Sequence, residues 1–480
     1  MIIIEDLLIF AAREAEGSGA FIEARYEDLT LKTLVREKDT LKEVINNRRL
    51  GIAITAYYQG VQGFSFTASA EKKDISETVA RAIKIAKVSE PTARLRLPFD
   101  TDANLPDVRT PLAPKHIKKH PLDFDLEFKK EMVDRAVNTV LSFKKPEANS
   151  VIGRYGELTG IKMLYTSDDR MAVWNPLITD LRIGAIVKDD RGELLRAGGG
   201  SGGAWGLDYW DGNDNTPEKL AENAYNWAVE KCGAKKPPAG EHRALTDPKL
   251  SAVLVHESFG HLCEADGVVE NTSPLAGKIG KKIATEEVSA IDVGVMDGTA
   301  GGLYLPFDDQ GVPTARTVLV EKGILKSYLH NRGTEHYLPE TGGLSGNARA
   351  ITYRFPPIPR MKNTIFLPGS VKTEEEMLEL LDTGIYSIDT TGGSVALGEF
   401  QFFATRGYWI ENGEKKYPLR DHLLTGHILQ ALQKVEALSQ DSILLSGYFG
   451  GCGKAGQFPL SVGMGAPHML FSGIQIGGET

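Results

Sequence analysis

The chain is poor in cysteine for its length, with Cys232, Cys263 and Cys452 in 480 residues. Three thiols do not make a disulfide framework, so stability has to come from a packed core, and a cysteine with a special setting reads as a ligand or nucleophile. Long apolar runs are lacking too. None reaches the roughly 18–20 residues that cross a bilayer. The opening Met1-Ile2-Ile3-Ile4 is followed by Glu5 and Asp6 rather than by a basic flank and cleavage site, which is not the pattern of a secretory signal. The expectation is a cytoplasmic protein with no membrane partner. Positive charge is not in excess: 55 basic against 64 acidic residues leave a net −9, which argues against a nucleic-acid partner. The basic cluster at 115–120 reads as a solvated linker. The glycine run at 198–203 has no Lys-Ser/Thr of a phosphate cradle, and it reads as a flexible hairpin or loop.

What is present is the balance of a globular protein, 41% hydrophobic and 25% charged, long enough for two to four domains. Apolar periodicity predicts a helix over 4–17, strand-compatible runs from 21 to 58, a turn at Gln59-Gly60, and a helix over 74–88 with Asp74 as its N-cap. A stretch punctuated by prolines, 91–122, reads as a linker. The same order then recurs: a helix near 123–144, strands around 150–165, 170–175, 178–188 and 193–197, and a helix near 216–232. The fold class expected is therefore α+β. Two N-terminal helix/antiparallel-sheet modules, at 1–115 and 116–240, precede a C-terminal domain at 241–480. That last part holds most of the 51 glycines and many short β-branched runs between turns, such as Thr317 to Val320 before Glu321-Lys322-Gly323, the pattern of a hairpin-rich, mainly β domain. Two stretches, 249–265 and 419–438, have helical character.

The first of these carries His256-Glu257-Ser258-Phe259-Gly260-His261. Two histidines and a glutamate in one turn suggest the H-E-x-x-H zinc helix, but the spacing is one residue longer. On a regular helix an i,i+5 pair stands about 140° apart, too far to share one ion. Either the motif is fortuitous, or the helix is widened by a π-turn that brings the two rings into line. The second reading predicts an i→i+5 backbone bond or a break near Phe259–His261, with Gly260 as the place where distortion costs least. A catalytic zinc site needs a third protein ligand and an open position. Glu264, Asp266, Cys263 and a residue from far along the chain are candidates. Cys452 is set among glycines in Gly450-Gly451-Cys452-Gly453-Lys454-Ala455-Gly456-Gln457, where the backbone can come close to an ion and Lys454 can favour the thiolate. By itself this setting also fits a small buried cysteine in a turn. Cys232 and Cys263 read as core residues. Asp308 and Asp309 fit either a β-turn or acceptors for a ligand N–H. His330, His336, His422, His427 and His468 read as packing or surface residues.

Several segments in order, from Leu254 to Asp266, then Pro306-Phe307-Asp308-Asp309-Gln310-Gly311, Gly346-Asn347-Ala348-Arg349, Arg360-Met361-Lys362-Asn363, and Cys452-Gly453-Lys454 with Gly456-Gln457, resemble the TldD/PmbA family of metallopeptidases over nearly the whole chain. The resemblance implies Zn²⁺ held by His256, His261 and Cys452, with Glu257 catalytic. It places the chain with the TldD-like branch, because the PmbA/TldE branch lacks these ligands. It also implies an extended, unfolded or unstructured peptide as substrate, and a heterodimer with a TldE/PmbA-like relative or, failing that, a homodimer. The competing expectations are a zinc hydrolase of small amides or modified amino acids, and a non-catalytic partner subunit whose zinc is structural or absent.

Overall fold

The computed structural model describes residues 4–93, 96, 105–212, 214–296, 301–396 and 398–478. The first three residues and part of the expected linker lie outside that set. The first half contains α1 (Ile4–Arg13), β1 (Phe21–Glu37), β2 (Thr40–Tyr58), β3 (Val61–Thr67), α2 (Lys72–Ser89), β4 (Val108–Leu112), α3 (Leu126–Ser142), β5 (Ala148–Thr166), β6 (Met171–Trp174), β7 (Leu177–Lys188), β8 (Leu194–Gly203) and α4 (Pro217–Glu230). The order helix, meander, helix occurs twice, as the periodicity predicts. The two sets of strands nevertheless form a single eight-stranded sheet, because β1 pairs antiparallel with β5, from Glu23 opposite Thr166 to Glu37 opposite Ile152. Helices α1 and α2 cover the β1–β3 end through Leu7, Leu8, Ile75 and Val79. Helices α3 and α4 cover the β5, β7 and β8 end through Val133, Val137, Ala221 and Ala224.

Two local expectations fail for physical reasons. Helix α2 begins earlier than predicted. Its N-cap is Glu71, which makes no side-chain capping bond, and Asp74 lies within the first turn. The glycine run is not a loop: it is the second half of β8. A Cβ at Gly200 would lie 2.0 Å from the Leu181 carbonyl, and one at Gly199 would lie 3.0 Å from the Leu220 carbonyl of α4. The glycines admit close packing of a neighbouring strand and a helix.

The C-terminal domain is built on an eleven-stranded sheet. Its long strand Gly463–Gly478 pairs with Asn363–Phe366, His422–His427, Val435–Leu445 and β9 (Gly240–Thr246). The expected helix over 419–438 is mostly strand. Only Ile428–Leu432 is helical, between His422–His427 and Val435–Leu445. His422 and Leu424 are buried in alternation and sit opposite Ala404 and Phe402. The cross-strand partner, invisible in a local window, decides the period. The hairpin expected at Glu321-Lys322-Gly323 is present, and a second turns at Glu411-Asn412-Gly413. The two sheets are locked by buried charge. Lys162 and Arg25 of the first sheet reach Asp309, Arg332 pairs with Glu23, and Gln310 donates to the Tyr57 hydroxyl.

Candidate metal centre

Helix α5 (Pro248–Leu254) starts where Asp247 accepts the Leu250 N–H as N-cap. The helix widens at once. Val255–Phe259 is a π-turn, and the Gly260 N–H donates to the Val255 carbonyl five residues back. A tighter 3₁₀ turn, Gly260–Cys263, follows. The predicted i→i+5 bond is therefore present, and the 256/261 spacing puts both rings on one side. Their centroids are 5.3 Å apart with planes at 69°. Gly260 serves a different purpose from the one expected. Its backbone is ordinary helix, φ −60° and ψ −44°, but a Cβ there would stand 2.0 Å from Met361 Sδ. Close approach of Met361, not backbone strain, requires the glycine.

Cys452 arrives from the far end of the chain on a two-stranded hairpin, Cys452–Lys454 with Gln457–Leu460. Gly451 at φ +150° precedes it, close against Leu460. The sulfur lies 3.0 Å from His261 Nε2. Among the described residues, ligand atoms of His256, His261 and Cys452 all lie within 4.8 Å of one another. His256 is 1% exposed, and neither of its ring nitrogens has a hydrogen-bond partner. Leaving both unmet costs a buried imidazole free energy, and a cation between the three groups satisfies one of them. Burial pushes the Cys452 thiol up, but the two imidazoles beside it outweigh this and bring its pKa to about 5. The site brings together a sulfur and two imidazole rings, a donor set that fits a borderline-soft divalent ion.

His261 is oriented from behind. Its Nδ1 donates to Glu264 Oε2 at 2.9 Å, which leaves Nε2 facing the sulfur. Glu264 is buried. Burial alone would raise its pKa, but His261 and Lys454 hold it down at about 2. Burial opposes charge on His261, yet Glu264 and Cys452 together raise its pKa well above the usual value. Glu264 thus accepts from the His261 ring and is not among the three converging side chains. Cys263, also a candidate, is fully buried, with its thiol pKa raised by burial. Lys454 does not serve the thiol as expected. Its Nζ is taken by Asp266 at 2.6 Å and Glu264 at 3.0 Å, tying the cysteine hairpin to the histidine turn. Glu257 is about one-third exposed, with Oε2 4.0 Å from His261 Nε2.

Other residues around the site carry no sequence signal beyond their motifs. Arg360, fully buried, donates to the Cys452 carbonyl at 2.8 Å. Lys362 donates to Ser345 O and Asn347 Oδ1 and pairs with Asp292 at 3.0 Å, all without exposure at the charged ends. Asp308 accepts the backbone N–H groups of Gln310, Val312 and Ala348, so it organises a turn and touches no ligand ring. His330 is buried on Thr341 and Thr334, and its pKa is lowered to about 4 by burial. His422 and His468 are likewise held by Ser387 and by Tyr386.

The fold and this donor set define a metallopeptidase class, and the comparisons name it. Residues 239–478 match the PmbA/TldA metallopeptidase C-terminal domain, 119–231 its central domain and 22–86 its domain 1. The chain belongs to the PmbA/TldD family of metallopeptidases. It is 33% identical to a metalloprotease of Methanothermobacter thermautotrophicus over 93% of each chain. It is 28% identical to a zinc metalloprotease TldD homolog of Saccharolobus solfataricus over 97% of this chain and 98% of the other. Solved structures share the fold. One, titled a modulator of DNA gyrase, from Thermotoga maritima, has TM-score 0.78 at 21% identity, covering 99% of this chain and all of the other. The TldE of Thermococcus kodakarensis has TM-score 0.73 at 19% identity, with the same coverage. Among the described residues no helix is long and apolar enough to cross a membrane.

Proposed function

We propose that the chain is a zinc-dependent peptidase, with the ion held by His256, His261 and Cys452, that hydrolyses peptide bonds in unfolded or unstructured peptides. The observation that carries this reading is the convergence of those three side chains, with both nitrogens of a buried His256 unmet. Zinc bound there supplies a Lewis acid that polarises a carbonyl and acidifies water. Glu257, on the same turn and partly open to solvent, takes the proton of the attacking water and passes it to the leaving amine. Glu264 keeps His261 in the tautomer whose Nε2 faces the site. Arg360 and Lys454 hold the hairpin so that the sulfur meets the two rings. Strand edges in the C-terminal domain suit an extended peptide, held along its length by main-chain hydrogen bonds. The pairing with a TldE/PmbA-like relative, or else with a second copy, rests on the family. Light scattering of the chain alone and with such a relative tests it.

The central test measures zinc content and peptide cleavage together. Cys452→Ala should lose the zinc and all cleavage. Glu257→Gln should keep the zinc and lose about 10²–10⁴-fold in kcat, the range of a missing general base. Normal cleavage by Glu257→Gln would remove that residue from the chemistry, and full zinc in Cys452→Ala would remove the sulfur from the ligand set.

A further inference from the structure

Beside the metal centre lies a cavity of about 350 Å³ whose walls come from both sheets. Leu29 and Leu31 of β1, Leu158 of β5 and Trp174 of β6 line it together with Phe307 and Leu460, and the Trp174 and Phe307 rings pack on each other at 6.1 Å. Leu460 links it to the chemistry. It is the direct strand partner of Cys452, and residues directly opposite in an antiparallel pair carry their side chains on one face, about 5 Å apart. The cavity therefore begins about one side chain from the ligand sulfur.

The charged groups on its wall are already engaged. Lys162 pairs with Asp309, Arg49 with Glu27 at 2.8 Å, and Asp308 accepts three backbone N–H groups. Arg349 donates to the Met361 and Ser461 carbonyls. What is left to recognise a ligand is hydrocarbon and aromatic surface, with the unpartnered Trp174 indole N–H as a donor. A space of this size takes one large side chain with room to spare, and a mostly apolar recess with its charged groups engaged selects for an apolar group.

We infer that this cavity is a specificity pocket that takes a large apolar side chain, such as leucine, phenylalanine or methionine, from a residue flanking the scissile bond of an extended peptide. The inference rests on the peptidase reading above and narrows its substrate class. It also assigns work to the first two modules, which hold none of the three converging side chains but build half of the pocket. Large apolar residues are mostly buried in folded proteins. A pocket that demands one next to the cleaved bond therefore admits unfolded segments and rejects native ones.

The test uses the full-length, zinc-loaded chain and a series of peptides identical except for one residue flanking the cleaved bond: leucine, phenylalanine, glycine or aspartate. Cleavage is followed on wild type and Leu158→Trp, and binding of the same peptides on Glu257→Gln. Leucine and phenylalanine peptides should exceed the glycine peptide by about 10- to 100-fold in kcat/KM, the worth of burying one such side chain. They should bind the Glu257→Gln chain tighter by a similar factor. Leu158→Trp, which fills the cavity, should bring the leucine peptide down toward the glycine value. Wild-type cleavage that is indifferent to the varied residue overturns the pocket and leaves the peptidase reading standing. Apolar-selective binding without cleavage by wild type overturns the peptidase reading and leaves the pocket standing. A Leu158→Trp chain that folds, as judged by its zinc content, and keeps the full preference places the selectivity elsewhere.

Discussion

In the eight-stranded sheet, backbone groups are satisfied along ladders as long as the 17 residues of β1, and helices close the core with alanine, valine and leucine. Around the metal centre the backbone turns in short, irregular pieces. Satisfaction there comes from side chains: Arg360 on the Cys452 carbonyl, Lys362 and Asn347 on Asp292, Asn363 on the Val293 and Leu303 carbonyls. The difference teaches where rigidity comes from. A sheet is stiff because each residue repeats its neighbour's bonds. A site that gathers side chains from residues 256, 261 and 452 has no such repeat, and buried ion pairs hold it instead, each costly to break singly.

If that contrast is right, the largest stability loss should fall in the C-terminal network. Lys362→Met takes the countercharge from the fully buried Asp292 carboxylate, which keeps its Asn347 and Thr364 hydrogen bonds, and should cost about 3–5 kcal/mol, the range for breaking a buried pair, read by urea denaturation. A loss below 1 kcal/mol would show that the network is ornamental. Glu264→Gln probes the same region without emptying it. Zinc affinity should fall about 10- to 100-fold, the usual effect of losing a ligand's acceptor, and cleavage should return at saturating zinc. Unchanged affinity would mean that His261 needs no support from behind.

The sheet should yield more gently, and through packing. In Gly63→Ala the new methyl would stand 2.0 Å from the Ala82 carbonyl of α2, so β3 or the helix must shift, at about 1–3 kcal/mol, with zinc binding untouched. The smallest effect is expected at the joint between the sheets. Burial raises the Glu23 carboxyl from 4.5 to about 7, against the pull of Arg332. A folded pKa above the unfolded one means that the native state holds the extra proton. The stability contributed by protonated Glu23 is then fully present below about pH 4.5 and is lost as pH rises through about 7. Glu23→Gln should flatten the fall of the denaturation midpoint over that window; an unaltered slope would assign it to Asp308, whose carboxyl burial also raises to about 7.

Much of the sheet was legible because its information is local. Alternation over β5 and β7, the helical stripes of α3 and α4, and the turn at Gln59-Gly60 lie within single windows. The sharing of one sheet by two modules was not, because the β1–β5 ladder joins residues some 130 positions apart. At the site, the five-residue gap between His256 and His261 left either chance or a widened turn, and the turn is there. The approach of Cys452 to the two histidines was expected only through family likeness, since a cysteine among glycines has an ordinary explanation as well.

Local order of the chain thus determined by itself most helix and strand types of the first half, a histidine spacing that a kink after α5 would bring into line, and the side chains suited to an ion. Periodicity and spacing act between neighbours, and neighbours are all that a sequence window holds. Tertiary structure alone decided that Lys454 serves Glu264 and Asp266 rather than the sulfur, that Gly260 makes room for Met361, that the glycines of β8 pack rather than flex, and that Leu460 brings an apolar cavity beside Cys452. Each of those depends on which distant atoms arrive within a few ångströms, and that is settled only when both sheets close on each other.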